Sequence, residues 1–239
     1  MDFSQVRLGI AIPHRNGECH ICIARTLTSA DIRGIQAVIL DNSNPLISEN
    51  RNILVQQFLD HPFNGTHLFF LDTDVSVPSD GIKTLLAADK PVIAGVYVDK
   101  KHLRFVVRRC INQFKYVYVQ PEWSKYADGK GPHWIIKEEL QNKVIDCDAA
   151  GAGCLLIKRE VLETMPYPWF YENYKPGATR HEKESSVSED LTFFYNAKQA
   201  GFQGYIHTGV LCDHWMGTHK FPPFWTEEEA RRQSTAENP

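Results

Sequence analysis

The segment Leu68-Phe69-Phe70-Leu71 is apolar at every position and then breaks abruptly into Asp72-Thr73-Asp74. A strand with one face in water alternates apolar and polar residues; an unbroken apolar run needs cover on both faces. A second stretch of this kind runs from Val92 to Val98. Val6 to Ile12 alternates and stops at Pro13, and Ala37 to Leu40 is a short apolar run ending at Asp41. Between these strands, Leu54, Val55, Phe58 and Leu59 recur at helical spacing within 48–60, with Ser48 as the N-cap, and Ser79 to Ala88 reads as a short helix. Strands alternating with helices predict an α/β domain on a mainly parallel, Rossmann-like sheet with helices on both faces. Ligands of such sheets bind beyond the carboxyl ends of the strands. Asp41, Asp72 and Asp74 all fall at such ends, so their position as well as their chemistry singles them out.

Beyond residue 100 the pattern changes. From Lys100 to Asp146 aromatic and polar residues mix, and two strand-like stretches flank Gly129-Lys130-Gly131, which predicts an inserted β-hairpin or flap. Cys154 to Ile157 is a further strand, preceded by Gly151-Ala152-Gly153, and a short helix from Arg159 ends before Pro166. Ser188 to Ala200 is a helix capped by Ser188 and closed by Gly201; Tyr205 to Cys212 supplies the last strand, followed by Asp213-His214-Trp215. The expected organisation is one domain over 1–222, with an insertion at about 100–146 and a C-terminal tail over 223–239.

A net charge of −3, without a block of Lys or Arg, argues against bulk attraction to nucleic acid or an anionic membrane. Lys100, Lys101, Arg104, Arg108 and Arg109 form the one local basic cluster. No apolar run reaches the roughly 18 residues of a membrane span, and the N-terminus reads as a strand, so the default location is cytoplasmic. Of six cysteines, Cys154 and Cys212 sit in apolar runs and read as buried thiols. Cys19 and Cys22 have metal-ligand spacing without a second pair, which favours free thiols over a zinc site.

The candidate chemistry begins with Asp72 and Asp74. Residues two apart in an extended chain point to one side. Two carboxylates so placed favour a hard divalent cation such as Mg²⁺ or Mn²⁺, which binds through one or two carboxylates plus substrate phosphates. The competing reading is a solvated turn after a strand. Arg51 lies on the stripe Ile47, Arg51, Leu54, Phe58, and so faces inward near the place of a diphosphate; the alternative is an ion pair with Glu49 or a neighbouring surface acid. Glu189 and Asp190 open a helix, either as dipole partners or with one of them a general base. His214 is a candidate third metal ligand, with His14, His207 and His219 as competitors. Gly151 to Gly153 would either admit a sugar close to the backbone or serve tight packing. Trp123, Trp134, Trp169 and Trp215 are candidates for an aromatic sugar platform or, more simply, for core and flap packing.

Taken in order, the stretches IAIPHR at 10–15, SENRN at 48–52, THLFFLDTDVSVP at 66–78, PVIAGVYVDKK at 91–101, DAAGAGCLLIKREVLE at 148–163, SEDLTFFYNAKQAGF at 188–202 and CDHW at 212–215 resemble the family-2-type glycosyltransferases of GT-A fold. The resemblance spans residues 6–215 apart from the insertion. It implies that Pro13 and Asp41 line a nucleoside pocket and that Arg51 sits by the diphosphate. It further implies that Asp72 contacts ribose or metal, that Asp74 and His214 hold Mn²⁺ or Mg²⁺, that Gly151, Ala152 and Gly153 border sugar and acceptor, and that Asp190, with Glu189 beside it, is the base of an inverting displacement. The implied partners are a nucleotide-sugar donor, first of all a UDP-sugar, and a glycan or other hydroxyl-bearing acceptor. An Arg/Gln-x-x-Arg-Trp motif is lacking after the acidic pair, which argues against processive polymer synthesis. Two other classes share the fold's logic: a nucleotidyltransferase, for which a Gly-rich loop and Lys after the first strand would be expected, and a non-catalytic nucleotide-sugar or glycan-binding module.

Overall fold

The computed structural model describes residues 2–99, 104–112, 115–118, 124–126, 134–174 and 186–221. In chain order its strands are β1 (Arg7–His14), β2 (Gln36–Ser43), β3 (His67–Leu71), β4 (Val75–Ser76), β5 (Val92–Val96), β6 (Val107–Asn112), β7 (Lys115–Tyr118), β8 (Ser124–Tyr126) and β9 (Trp134–Ile136). They continue with β10 (Val144–Cys147), β11 (Ala149–Ala150), β12 (Cys154–Lys158), β13 (Asn173–Tyr174), β14 (Ser186–Val187), β15 (Gly204–Leu211), β16 (Asp213–Met216) and β17 (His219–Phe221). The α-helices are α1 (Cys22–Ser29), α2 (Ile47–Asp60), α3 (Gly81–Ala87), α4 (Arg159–Thr164) and α5 (Glu189–Gln199).

The central sheet has seven strands in the order β10-β15-β5-β12-β3-β1-β2. Strand β1 is parallel to β2 and β3, β12 runs antiparallel between β3 and β5, β15 is parallel to β5, and β10 is antiparallel to β15. Five strands therefore share one direction, and only β10 and β12 oppose it. The two apolar runs recognised in the sequence, β3 and β5, lie inside the sheet, where both faces are covered.

Each strand feeds two cores by alternation. Leu68 and Phe70 face one core, with Leu54, Val55 and Phe58 of α2, Val161 and Leu162 of α4, and Phe193, Phe194 and Ala197 of α5. Phe69 and Leu71 face the other, with Ile23 of α1 and Ile82, Leu85 and Leu86 of α3. This is the period-two pattern of a strand read against helices on both faces. At about 25 cal/mol per Å² of apolar area, burying each such Phe or Leu contributes roughly 1.5–3 kcal/mol. Gly9 and Gly65 are part of the packing: a Cβ at either would come within 2.7 Å or 2.2 Å of the Phe58 ring.

Several boundaries differ from the sequence reading for local reasons. Helix α2 begins at Ile47, after Leu46, whose N–H donates to the Asn44 side chain, so Ser48 is inside the first turn and is not the cap. Ser188 precedes α5 but its hydroxyl is given to Asp190 instead of to the backbone. Helix α1 had no sequence signal beyond its amphipathic composition. The expected hairpin is present as the antiparallel pair β8 and β9. Gly129 to Gly131, Trp123, Lys100, Lys101 and the tail over 223–239 lie outside the described residues, as do the side chains of Trp134 and His219. Among the described residues no helix is long and apolar enough to cross a membrane.

Candidate active site

The carboxyl ends of β1, β3, β5 and β15 converge on one edge of the sheet, and a cleft of about 620 Å³ opens there. Pro13, His14, His20, Asp72, Asp74 and Trp215 are among the residues that line it. The convergence has a specific cause. After Asp74 the chain forms the short strand β4, which pairs antiparallel with β16 so that Val75 lies opposite His214. The Trp215 N–H donates to the Asp74 carbonyl at 2.8 Å, and the Trp215 indole N–H donates to the Ser76 hydroxyl at 3.0 Å. Two motifs about 140 residues apart in sequence are thereby clamped together.

Asp74 and His214 face each other across this clamp, with His214 Nε2 at 3.6 Å from Asp74 Oδ1. The other ring nitrogen, Nδ1, is 2.8 Å from the Val98 carbonyl oxygen. A carbonyl only accepts, so Nδ1 carries a proton and donates it, and in the neutral ring Nε2 presents its lone pair toward Asp74. This is the second-contact pattern by which a protein fixes the tautomer of a metal-binding histidine. Among the described residues no group of three His, Cys, Asp or Glu side chains is arranged around one point. Asp74 and His214 are two side chains, one oxygen and one imidazole nitrogen, whose chemistry could hold a metal.

Asp72 has a different partner. Both of its carboxylate oxygens accept from Arg51 Nη2, at 2.9 and 3.1 Å. Arg51, only 2% exposed, also brings Nε to 3.5 Å from Glu189 Oε1, and its guanidinium carbon lies 5.2 Å from the Phe70 ring centroid and 5.9 Å from that of Phe170. The expectation that Arg51 would sit against a diphosphate therefore meets a different geometry. The side chain is folded under the site, where it ties the end of β3 to the start of α5. Its stripe on α2 points inward as read; what lies inward is two carboxylates and two phenyl rings, and neither Nη1 nor Nε finds a hydrogen-bond acceptor among the described residues.

Burial governs the acids around it. Asp72 is pushed above the usual carboxylate range by desolvation, with Arg51 opposing and Asp74 reinforcing the shift. Glu189 is pushed up to about 6 by desolvation and by neighbouring Asp190, against the pull of Arg51. Asp190 accepts hydrogen bonds on Oδ1 from the Ser188 hydroxyl and from the Leu191 N–H, the latter at 2.8 Å.

Gly151, Ala152 and Gly153 are buried, and the two glycines make room for Tyr97. A Cβ on Gly151 would lie 2.0 Å from the Tyr97 hydroxyl, and the Gly153 N–H donates to that hydroxyl at 3.0 Å. Of the two readings of this segment, tight packing is the one the geometry carries. Tyr97 also meets the His214 ring edge to face at 5.2 Å, and its burial keeps it a phenol, with its pKa pushed well above the ordinary tyrosine value. Asp41 stands at the exposed end of β2, 3.3 Å from His14 Nε2. Trp215 stacks on His20 with ring centroids 5.1 Å apart at the cleft, whereas Trp169 is 5% exposed and belongs to the core.

Three residues carry parts of the site that the sequence reading missed. Asn50 donates to the His14 carbonyl at 3.0 Å and accepts from Asn42 at 2.9 Å. Asn52 grips the Phe170 backbone with its side-chain amide, Nδ2 donating to the carbonyl at 2.7 Å and Oδ1 accepting from the N–H at 3.0 Å. With Arg51, these consecutive residues tie α2 to the ends of β1 and β3, to β2, to the start of α5 and to the Phe170 backbone. The available signal was the polar run Ser48 to Asn52 on a helix that continues with Ile53, Leu54 and Val55. Tyr97 had no signal beyond its place at the end of β5.

No protein-family description matches the sequence, and no curated protein does. Among solved structures the chain is similar to A197 from STIV, with a TM-score of 0.57 and 20% identity over 88% of this chain and 86% of that one. It also aligns with S. aureus TarS 1-349 in complex with UDP, at a TM-score of 0.41 and 12% identity over 84% of this chain and 57% of that one. A glycosyltransferase involved in the glycosylation of the major capsid of PBCV-1 aligns at a TM-score of 0.31 and 14% identity, over 65% of this chain and 62% of that chain. The helix-flanked, mainly parallel α/β sheet anticipated from the sequence is the fold of this chain.

Proposed function

We propose that this chain is a metal-dependent glycosyltransferase that moves a sugar from a nucleoside-diphosphate sugar, first of all a UDP-sugar, to an acceptor hydroxyl. The observation that carries the reading is the pair Asp74 and His214, held face to face at the mouth of the cleft with the His214 tautomer fixed by Val98. These two side chains would hold Mn²⁺ or Mg²⁺, with phosphate oxygens and water completing the shell. When bound, the ion would offset the negative charge that develops on the departing diphosphate.

The remaining work falls to the chain itself. Pro13, His14, His20 and Trp215 shape the cleft for the nucleoside, with the Trp215–His20 stack offering a flat apolar wall. Arg51 holds Asp72 and Glu189 in place from beneath. Asp190 takes the proton of the acceptor hydroxyl while that oxygen bonds to the anomeric carbon and the carbon–phosphate-oxygen bond breaks, an inverting displacement that releases the nucleoside diphosphate. Asp190 is favoured over Glu189 because Glu189 is engaged with Arg51, whereas only one oxygen of Asp190 has a described hydrogen-bond donor.

Incubation with Mn²⁺ and a panel of nucleotide sugars, with product analysis, tests the reading. Release of nucleoside diphosphate, by hydrolysis or by transfer, is the expected result. Pyrophosphate formation from a nucleoside triphosphate and a sugar phosphate would instead mark a nucleotidyltransferase, and binding without turnover would mark a non-catalytic module.

A further inference from the structure

A second cavity, of about 560 Å³, lies away from the cleft, between the segment after α4 and the C-terminal half of α5. Thr164, Tyr167, Pro168, Tyr171, Asn196 and Gln199 line most of it, and none of its described lining residues is charged. It combines two kinds of group. Tyr167 and Tyr171 offer aromatic rings, while Asn196, Gln199 and Thr164 offer amides and a hydroxyl.

The aromatic part is built and held. Tyr167 stands between Pro166 and Pro168 and is 70% exposed. Its ring meets the Trp169 ring at right angles, with centroids 5.5 Å apart. Trp169 is 5% exposed and its indole N–H donates to the Leu162 carbonyl at 2.8 Å, so the ring backing Tyr167 is anchored in the core. Prolines on both sides restrict the backbone. A large aromatic side chain kept in water by a rigid support, facing neutral hydrogen-bonding groups, is a preorganised amphipathic surface. Trp169, which the sequence offers as a sugar platform, serves here as the support of one.

We infer that this groove is a binding site for a neutral oligosaccharide, separate from the nucleotide cleft. A sugar ring has an apolar face of C–H groups, which suits the Tyr167 ring, and a rim of hydroxyls, which suits the amides of Asn196 and Gln199. Among the described lining residues the absence of charge fits a neutral ligand and gives phosphates and acidic glycans no cationic partner. Asp190 and Gln199 lie nine positions apart on one helix, about 14 Å at 1.5 Å per residue. The binding claim stands without any transfer activity; only the idea that the bound glycan is an acceptor or product rests on the proposed function.

The test is a panel of neutral tri- to hexasaccharides, covering glucans, galactans, mannans and N-acetylglucosamine oligomers, titrated against the ¹⁵N-labelled full chain without nucleotide or metal. Expected are shifts at Tyr167, Asn196, Gln199 and the Trp169 indole for at least one oligosaccharide. Binding should be roughly tenfold weaker or worse in Tyr167→Ala, as for truncation of an aromatic anchor, and retained in Tyr167→Trp. Because Tyr167 is exposed, the melting temperature of each variant checks that the fold is intact. If no oligosaccharide of the panel shifts these resonances, the inference is overturned. It is overturned equally if binding is indifferent to Tyr167→Ala, or if a proline-rich decapeptide occupies the groove and the sugars do not. Loss of nucleotide-sugar turnover would leave this binding result unaffected, so the two readings fail separately.

Discussion

At the scale of single residues, the account turns on how burial divides work among four acids. Asp74 faces His214, Asp72 is held by Arg51, Glu189 lies against Arg51, and Asp190 stands beside it at the start of α5. If Asp190 is the general base, Asp190→Asn should keep the fold and donor binding and lower transfer by about 10²- to 10⁴-fold, since that is the usual contribution of a positioned base. A dipole partner alone would cost only about 0.3–1 kcal/mol of stability, so kinetics and urea denaturation of one variant distinguish the roles. Near-normal turnover in Asp190→Asn would contradict the assignment. Glu189 makes a separate prediction through pH. Its folded value, about 6, lies above its ordinary 4.5, so the fold favours the protonated form. Stability linked to Glu189 is complete below about pH 4.5 and is lost as pH rises through about 6. Glu189→Gln should remove that loss, so the variant should gain on the parent chain between these pH values in denaturation midpoints. Parallel curves would contradict the shift.

At the scale of elements, the site is assembled by connections that place polar side chains where strands stop. Helix α2 shows this most plainly. Asn50, Arg51 and Asn52 bind respectively the end of β1, the acids after β3 and at the start of α5, and the Phe170 backbone. The glycines before β12 do the complementary job, leaving space for Tyr97 at the end of β5. Gly151→Ala should therefore destabilise the chain by about 1–3 kcal/mol, the range for overpacking a close-packed site. Reducing the neighbouring ring in Tyr97→Leu should recover part of the loss in a double-mutant cycle. Additive effects of the two substitutions would show that the close approach does not govern this corner. Much at this scale was legible in the sequence. Leu68 to Leu71 reads as a doubly covered strand because the run is apolar throughout and too short for a helix, and the Asp72 and Asp74 positions follow from its end, whereas His214 lies inside β16, a strand the sequence did not announce. The direction of Arg51 was legible, but its partners were not, because they come from β3 and α5. Asn50, Asn52 and Tyr97 escaped for the same reason: their roles exist only once distant segments meet.

At the scale of the whole molecule, a seven-stranded sheet with β12 reversed sets its loops and helix starts at one edge, and the proposed chemistry needs that edge to bring a cation and a diphosphate together. Fold likeness to A197 from STIV extends over most of both chains, whereas the activity is argued from the site. The central claim is that Asp74 and His214 serve a divalent ion that presents the donor. Calorimetric titration of UDP into the full chain, with Mn²⁺ and again after chelation, measures it directly. The account predicts that UDP binding requires Mn²⁺, that chelation abolishes or strongly weakens it, and that Asp74→Asn and His214→Ala reproduce the chelated behaviour without unfolding the chain. Equal UDP affinity with and without the metal, or full metal dependence surviving in both variants, would contradict it.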